Sequence, residues 1–415
     1  MDSEEIEIPS YFLCPISLQL MKDPVTLCTG VTYDRQSIEK WMFTVGNNTC
    51  PLTRQHIHNS ELTPNHTLWR LIQQWCDLNS SKGVHRISTP PLPLDTDQLH
   101  KLLRDIESSL ASAFQVKSLK KFRSVAGESE SNRRLIAFSD APAVLVCLIE
   151  NPSAETDEAG CCYEVAAACE EALGILYSLT LPDGTLDSLA TANCLASVAS
   201  ILKRGTSNAR FHAVMLLQTV SKKVLERFVM NANDDLIEGL LEVLTEEVCH
   251  KATVAALEVL TAVSSSSRRS RIKAIQAGTI SALIELLPDQ SVEKKNICER
   301  MLCLLDVLCG CAEGRAALVD HAMGIPLVSK KIMRVSALAT EKAVRILWSI
   351  CKFSPSQLIL NEMVQIGAVA KLCMLVHSEC TAKTNRKAKE MLRLHDKCWR
   401  SSPCVPSIIY PRSVQ

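Results

Sequence analysis

One nine-residue pattern recurs along the chain at a spacing that leaves few folds open. The strings are ALGILYSLT (172–180), AVMLLQTVS (213–221), ALEVLTAVS (256–264), MLCLLDVLC (301–309), AVRILWSIC (343–351) and AKEMLRLHD (388–396). Each begins with Ala or Met and has Leu fifth, at Leu176, Leu217, Leu260, Leu305, Leu347 and Leu392, so successive intervals are 41, 43, 45, 42 and 45. First, fifth and eighth positions fall on one face of a helix, as Ala343, Leu347 and Ile350 do. Each string therefore reads as a helix with a small residue for close approach and a Leu for the core. A weaker copy, SLKKFRSVA (118–126), puts Phe122 fifth. Its longer interval of 54 to Leu176 is taken up by the acidic insertion NPSAETDEAG (151–160), read as a mobile surface loop.

A period of about 40–47 residues built of paired or tripled helices is the mark of armadillo and HEAT repeats. Second-helix patterns lie between the anchors, in IQAGTISALIELL (275–287) and VQIGAVAKLCMLV (364–376), with Gly278 and Gly367 where a tight turn needs their freedom. These strings resemble armadillo repeats over residues 97–398, which implies a right-handed α-solenoid of six or seven repeats and a tail over 399–415. Importins and catenins, the best-known armadillo proteins, grip extended peptides with an Asn just before the anchor Leu. Here those positions are Ile175, Leu216, Val259, Leu304, Ile346 and Met391. The resemblance thus disfavours such a grip and leaves the groove for a folded partner or a helix. Basic clusters at Arg268, Arg269, Arg271, Lys273 and at Lys383, Arg386, Lys387, Lys389 read as solvated helix faces or as docking points for an acidic partner.

The first 80 residues have another texture. They hold Trp41, Trp69 and Trp75 and mix strand-like runs with helices, and SSKGVHRISTPPLPLD (80–95) follows, giving a Pro- and Ser-rich linker over 81–96. Lys plus Arg and Asp plus Glu are both 45, so net charge favours neither nucleic acid nor a membrane surface as partner. MDSEEIEIPS lacks the apolar run of a signal peptide, so the 19 cysteines are not expected to form a disulfide framework. Most, such as Cys298, Cys303, Cys309 and Cys311, sit in Ala/Leu-rich runs as small buried hydrophobes. No apolar stretch reaches the roughly 18 residues that a membrane span requires.

Within the first 80 residues, VTLC (25–28) and VTY (31–33) around Thr29-Gly30 predict a hairpin. Asp34 is an expected N-cap for a helix whose stripe is Ile38, Trp41 and Met42. The loop VGNNTCPLTRQ (45–55) leads to a second helix, opened by Thr63-Pro64 and buried along Leu68, Leu71, Ile72 and Trp75. Zinc can be weighed directly. Cys14, Cys28, Cys50, His56, His58, His66 and Cys76 offer seven ligands and no C-x2-C pair, whereas two structural ions need eight in close pairs, so no metal is expected.

CPISLQLMKDPV, GVTYDRQSIEKW and CPLTRQ, followed by LTPNHTLWRLIQQWC, closely resemble the U-box, a zinc-free relative of the RING finger, and place it over residues 8–80. Joined to armadillo repeats, it resembles the plant U-box/armadillo E3 ubiquitin-protein ligases. The resemblance implies a RING-type ubiquitin transferase with no covalent ligase intermediate, no catalytic nucleophile and no cofactor. A ubiquitin-charged conjugating enzyme would dock on Ile16 and Leu18 of the first loop, Trp41 of the helix and Pro51 of the second loop. Arg54 would bridge enzyme and ubiquitin. For the first four, core packing is the competing role; for Arg54, an ordinary surface Arg. Cys14, Asp23, Pro24, Asp34, Arg35 and Glu39 are the structural candidates, pinning the loops by packing, hydrogen bonds and ion pairs. The family further implies a protein substrate held on the repeats, a cytoplasmic location with the nucleus left open, and a role in plant stress or immune signalling. Homodimerisation stays open. The rival reading is a non-catalytic armadillo scaffold with a silent U-box.

Overall fold

Gly30 takes φ +80°, and the chain reverses there to join β1 (Pro24–Thr26) to β2 (Thr32–Asp34). The strands pair antiparallel with Val25 opposite Tyr33, and β3 (Thr63–Pro64) covers the other edge of β1. The computed structural model describes residues 7–44, 46–59, 61–87, 94–108, 113–151, 159–246, 248–287, 295–378 and 380–400. The middle of the expected linker (88–93) and most of the acidic insertion (152–158) and of the tail (401–415) lie outside the described residues.

After β2 comes α1 (Arg35–Glu39), continued by a wider turn over Lys40–Thr44. Thr63-Pro64 does not open the second helix, as the sequence suggested, because it is spent in β3. Instead α2 (His66–Leu78) starts after Asn65, whose side chain accepts from the Leu68 N–H at 3.0 Å. Its inner face carries Ile72 and Cys76, with Leu68 and Trp75 packed beside them. Leu71, expected on that face, is 47% exposed, since Leu68, Ile72 and Trp75 already fill the stripe and the intervening turn position falls on the flank. Phe12, Met21, Val25, Tyr33 and Ile38 complete this core.

The chain divides into two compact units, residues 1–144 with 178–180, and the remainder. In the first, α3 (Thr96–Glu107) is capped by Asp95, and it packs on α4 (Ala113–Glu128), which packs on α5 (Glu130–Ala137). Then α6 (Ala141–Glu150) and α7 (Ala159–Ser178) follow. Beyond them the helices come in threes. These are α8 (Asp183–Leu189), α9 (Ala192–Arg204) and α10 (Ser207–Lys223), then α11 (Leu225–Asn231), α12 (Asp234–Thr245) and α13 (His250–Ser266). Next are α14 (Arg268–Gln276), α15 (Thr279–Leu286) and α16 (Lys295–Leu308), and α17 (Ala312–Asp320), α18 (Gly324–Lys330) and α19 (Ala337–Phe353). The last are α20 (Gln357–Gln365), α21 (Ala368–Val376) and α22 (Ala382–Leu394), with α23 (Asp396–Arg400) closing the stack.

Every third helix carries the recurrent string, and its first and fifth residues are buried in each copy. Gly278 and Gly367 take φ +83° and +73° to turn α14 into α15 and α20 into α21. Thr206, Ser336 and Thr381 cap α10, α19 and α22 through their hydroxyls. Cys298, Cys309 and Cys311 are buried and Cys303 partly so. The tail begins later than residue 399: Trp399 is fully buried in α23, with its indole N–H donating to the Leu360 carbonyl at 3.3 Å. Among the described residues no single helix is long and apolar enough to cross a membrane.

The residues just before the anchor Leu need correcting. Ile175, Leu216, Val259, Leu304, Ile346 and Met391 are all buried, so they fill the core and line no groove. Each anchor helix packs on helices to both sides, and fourth and fifth positions therefore both face inward. The outward positions are the sixth and seventh, such as Gln218 and Thr219, Asp306 and Val307, Trp348 and Ser349, and none of these is Asn.

Candidate functional site

Two loops of the N-terminal module are built to one plan. In the first, Cys14-Pro15-Ile16-Ser17-Leu18, the Cys14 N–H donates to the Gln19 carbonyl and the Leu18 N–H to the Cys14 carbonyl, both at 2.8 Å. In the second, Cys50-Pro51-Leu52-Thr53-Arg54, the Cys50 N–H donates to Gln55 and the Arg54 N–H to Cys50, again both at 2.8 Å. Each loop ends on a left-handed residue, Leu18 at φ +55° and Arg54 at φ +59°. Such a conformation is unusual for a side chain other than Gly, Asn or Asp, and marks a backbone held by its surroundings. The repeated C-P-x-[S/T] was present in the sequence as CPIS and CPLT but went unread. It adds Leu52, 63% exposed, as the counterpart of Ile16.

Consecutive residues of β2 hold the two loops. The Asp34 N–H donates to the Cys14 sulfur at 3.3 Å, and the Asp34 carboxylate accepts from the N–H groups of Lys22 (2.8 Å) and Asp23 (3.1 Å). Asp34 thus sits at the start of α1, yet makes no side-chain cap there, because its carboxylate is spent on the first loop. Arg35 donates to the Asp23 carboxylate from Nε at 2.6 Å and to the Asp23 carbonyl from its N–H at 2.9 Å. Pro24 is buried at the head of β1, its carbonyl taking the Asn65 N–H. On the other side, Tyr33 Oη lies 3.0 Å from the Cys50 sulfur and accepts from the Leu52 N–H at 3.1 Å. The Trp41 indole N–H donates to the Thr49 carbonyl at 2.8 Å, tying the helix to the second loop.

The two sulfurs are settled by donors where a zinc-bound relative would use a cation. Burial pushes the Cys14 thiol up, but backbone N–H groups around Ser17, Asp34 and Ile16 outweigh it and hold it below the usual range. Burial likewise opposes ionisation of Cys50, and the surrounding hydroxyls of Thr29, Thr53 and Tyr33 bring it down to about 6. Cys50 is only 1% exposed, so this charge is out of reach of an incoming thioester. Among the described residues no group of three or more His, Cys, Asp or Glu is placed to hold a metal ion.

Tyr33 was not singled out in the sequence, since a lone Tyr in a strand-like run signals nothing beyond core packing. Tyr33→Phe should cost about 0.5–1.5 kcal/mol, because it removes the acceptor of the part-buried Leu52 N–H. Hydrogen exchange of the Leu52 amide should then speed up by up to about tenfold. An unchanged exchange rate would mean that Tyr33 does not hold the loop.

Of the expected docking residues, Ile16 and Trp41 are half-buried and pack against the module core, and Pro51 is half-buried. Leu18 and Arg54 are exposed, and Arg54 has no ion-pair partner among the described residues. Glu39 does not join the loop network as expected. It is 2% exposed, and its carboxylate accepts from the Glu130 N–H and the Ser131 hydroxyl, both at 2.8 Å, while Arg35 stays 3.9 Å away. The N-terminus of α5, with its unpaired N–H groups, attracts the carboxylate more strongly than the already engaged Arg35.

Two family models divide the chain as the sequence does. A family model described as the U-box domain matches residues 8–81, and one described as the plant U-box protein ARM repeat region matches residues 98–415. The chain is 41% identical to the E3 ubiquitin-protein ligase PUB23 of Arabidopsis thaliana and 40% identical to PUB22 of the same plant, over 98% of this chain and 98% of each relative. A designed armadillo repeat protein of solved structure is 15% identical, with a TM-score of 0.45 over 60% of this chain and 99% of its own.

Proposed function

The chain belongs to the plant U-box proteins that carry an armadillo-repeat region, and on that premise we propose that it is an E3 ubiquitin-protein ligase acting by the RING-type route. The U-box docks a ubiquitin-charged conjugating enzyme, and a lysine of a substrate held on the repeats attacks the thioester directly. One observation carries this reading: two matched Cys-Pro loops are fixed to adjacent residues of one strand, presenting Ile16, Pro51 and Arg54 while both loop thiols, Cys14 and Cys50, are buried. Holding the reactants together can supply up to about 7–11 kcal/mol of the barrier. Arg54 is suited to bridging two proteins, since a guanidinium donates several hydrogen bonds at once.

In a plant cell we place this activity in the cytoplasm, in the turnover of a protein of stress or immune signalling. The test is a purified assay with ubiquitin, activating enzyme and a panel of conjugating enzymes. Chain formation with at least one of them supports the ligase; none with any of them favours the silent scaffold.

The route makes a second prediction. Cys28, Cys50 and Cys76 changed singly to Ser should leave no ubiquitin oxyester on the ligase, as read on a non-reducing gel after quenching. Cys50 and Cys76 are buried, and burial pushes the Cys76 thiol up. A trapped ester at any of the three would replace direct transfer with a covalent mechanism.

A further inference from the structure

The two basic clusters of the armadillo region meet different fates. In the first, Arg268 pairs with Glu313, Lys273 pairs with Asp234, and Arg271 is spent on the Ser264 carbonyl. The second is neutralised only in part. Helices α19 and α22 together carry Lys342, Arg345, Lys352, Lys383, Arg386, Lys387, Lys389 and Arg393 against Glu341 and Glu390. That excess stands in a chain with no net charge.

The cations surround one half-buried indole. Lys387 Nζ sits 3.2 Å from the centre of the Trp348 ring and Lys352 Nζ 4.7 Å from it. Glu390 accepts from the Trp348 N–H at 2.8 Å and pairs with Lys352 at 2.9 Å. Asp306 of α16 pairs with Lys342 at 3.3 Å and Arg345 at 3.1 Å. Burial, and after it Arg345 and Arg386, lower the Lys387 ammonium below its usual range against the opposing pull of Glu390 and Asp306. Beside them lies an open cleft of about 680 Å³, lined by Asn385, Arg386, Lys389 and Arg393 together with one carboxylate, Glu390, which is engaged by Trp348 and Lys352.

We infer that the α19–α22 face docks an acidic peptide segment of the protein partner, its carboxylates taken by Arg386, Lys387 and Lys389. The inference deepens the recruiting role proposed above, and rests on it only for what the bound segment is for. Charge complementarity points to an anion. A nucleic acid fits less well: the indole is already covered by two ammonium groups, which leaves no bare aromatic face for a base to stack on.

The test uses the full chain and fluorescence anisotropy. The probes are a short labelled peptide of alternating Glu and Leu, its Lys-for-Glu counterpart, and a single-stranded oligonucleotide of equal charge. The Glu peptide should bind, and more weakly as salt rises. Arg386→Glu with Lys387→Glu should weaken it by about tenfold or more, and Arg386→Gln with Lys387→Gln, which removes the charges without adding opposite ones, should weaken it in the same direction. Arg268→Glu with Arg269→Glu should leave it unchanged, and all variants should keep parental autoubiquitination. Equal binding of the Lys peptide, tighter binding of the oligonucleotide, or indifference to both Arg386/Lys387 variants overturns the proposal. Fusing the Glu peptide to an inert protein separates the two readings. Binding without faster ubiquitination of the fusion supports the docking face and counts against recruitment.

Discussion

An Arg54→Gly chain should fold as stably as the parent and build ubiquitin chains at least about tenfold more slowly. The two halves of this expectation have separate causes. Arg54 is in the left-handed region, where a side chain costs about 1–2 kcal/mol that Gly avoids. Gly also widens the unfolded ensemble, at a cost of about 0.4–1 kcal/mol. The effects oppose each other, so the melting temperature should move by only a few degrees. The guanidinium is exposed and has no ion-pair partner among the described residues, so its loss removes no internal contact. What disappears is the group proposed to bridge conjugating enzyme and ubiquitin. Arg54→Lys should fall between the two, keeping the charge without the fork. Ile16→Ala should lower stability and rate together, since Ile16 also packs on the module core. Chain formation at the parental rate by Arg54→Gly, measured with saturating conjugating enzyme, would remove Arg54 from the site.

The repeats were legible because burial imposes a rhythm on composition. A helix that must present Ala and Leu to its neighbours at fixed positions repeats them, and Ala343, Leu347 and Ile350 lie where the pattern put them. Facing is harder to read than period. Ile346 and Leu347 are adjacent in sequence and about 100° apart on the helix, yet both are buried, because the helix is packed on two sides. The paired loops were hidden for another reason. CPIS and CPLT are two short copies 36 residues apart, counted from Cys14 to Cys50, and their likeness lies in hydrogen bonds and in the φ of Leu18 and Arg54. Neither is visible in residue types. Asp34 shows the same limit, since cap and loop clamp ask for the same carboxylate and only the fold decides between them.

Glu39 was misread because its partners lie far along the chain, and the error leads to the second large effect. Glu39→Ala should loosen the U-box on α5 without unfolding either part. Two charge-assisted bonds are lost, to the Glu130 N–H and the Ser131 hydroxyl, while the Arg134 guanidinium stays over the Phe43 ring at 4.2 Å and α1 keeps its packing on α5. A loss of about 3 kcal/mol corresponds to an opening equilibrium shifted roughly a hundredfold. Exchange of the Glu130 amide should rise to match, while the amides of β1 and β2 keep their protection. Glu39→Gln separates hydrogen bonding from charge. Its amide oxygen can accept from Glu130 and its NH2 can donate to the Ser131 hydroxyl, so only about 1 kcal/mol should be lost. The functional readout follows from proximity. Discharge of the charged conjugating enzyme onto free lysine needs only the docking loops and should be unchanged. On the recruiting role proposed for the repeats, transfer to a held substrate should slow severalfold. If discharge onto free lysine falls as far as transfer to substrate, Glu39 shapes the docking loops themselves, and the tether to α5 does not set the geometry of transfer.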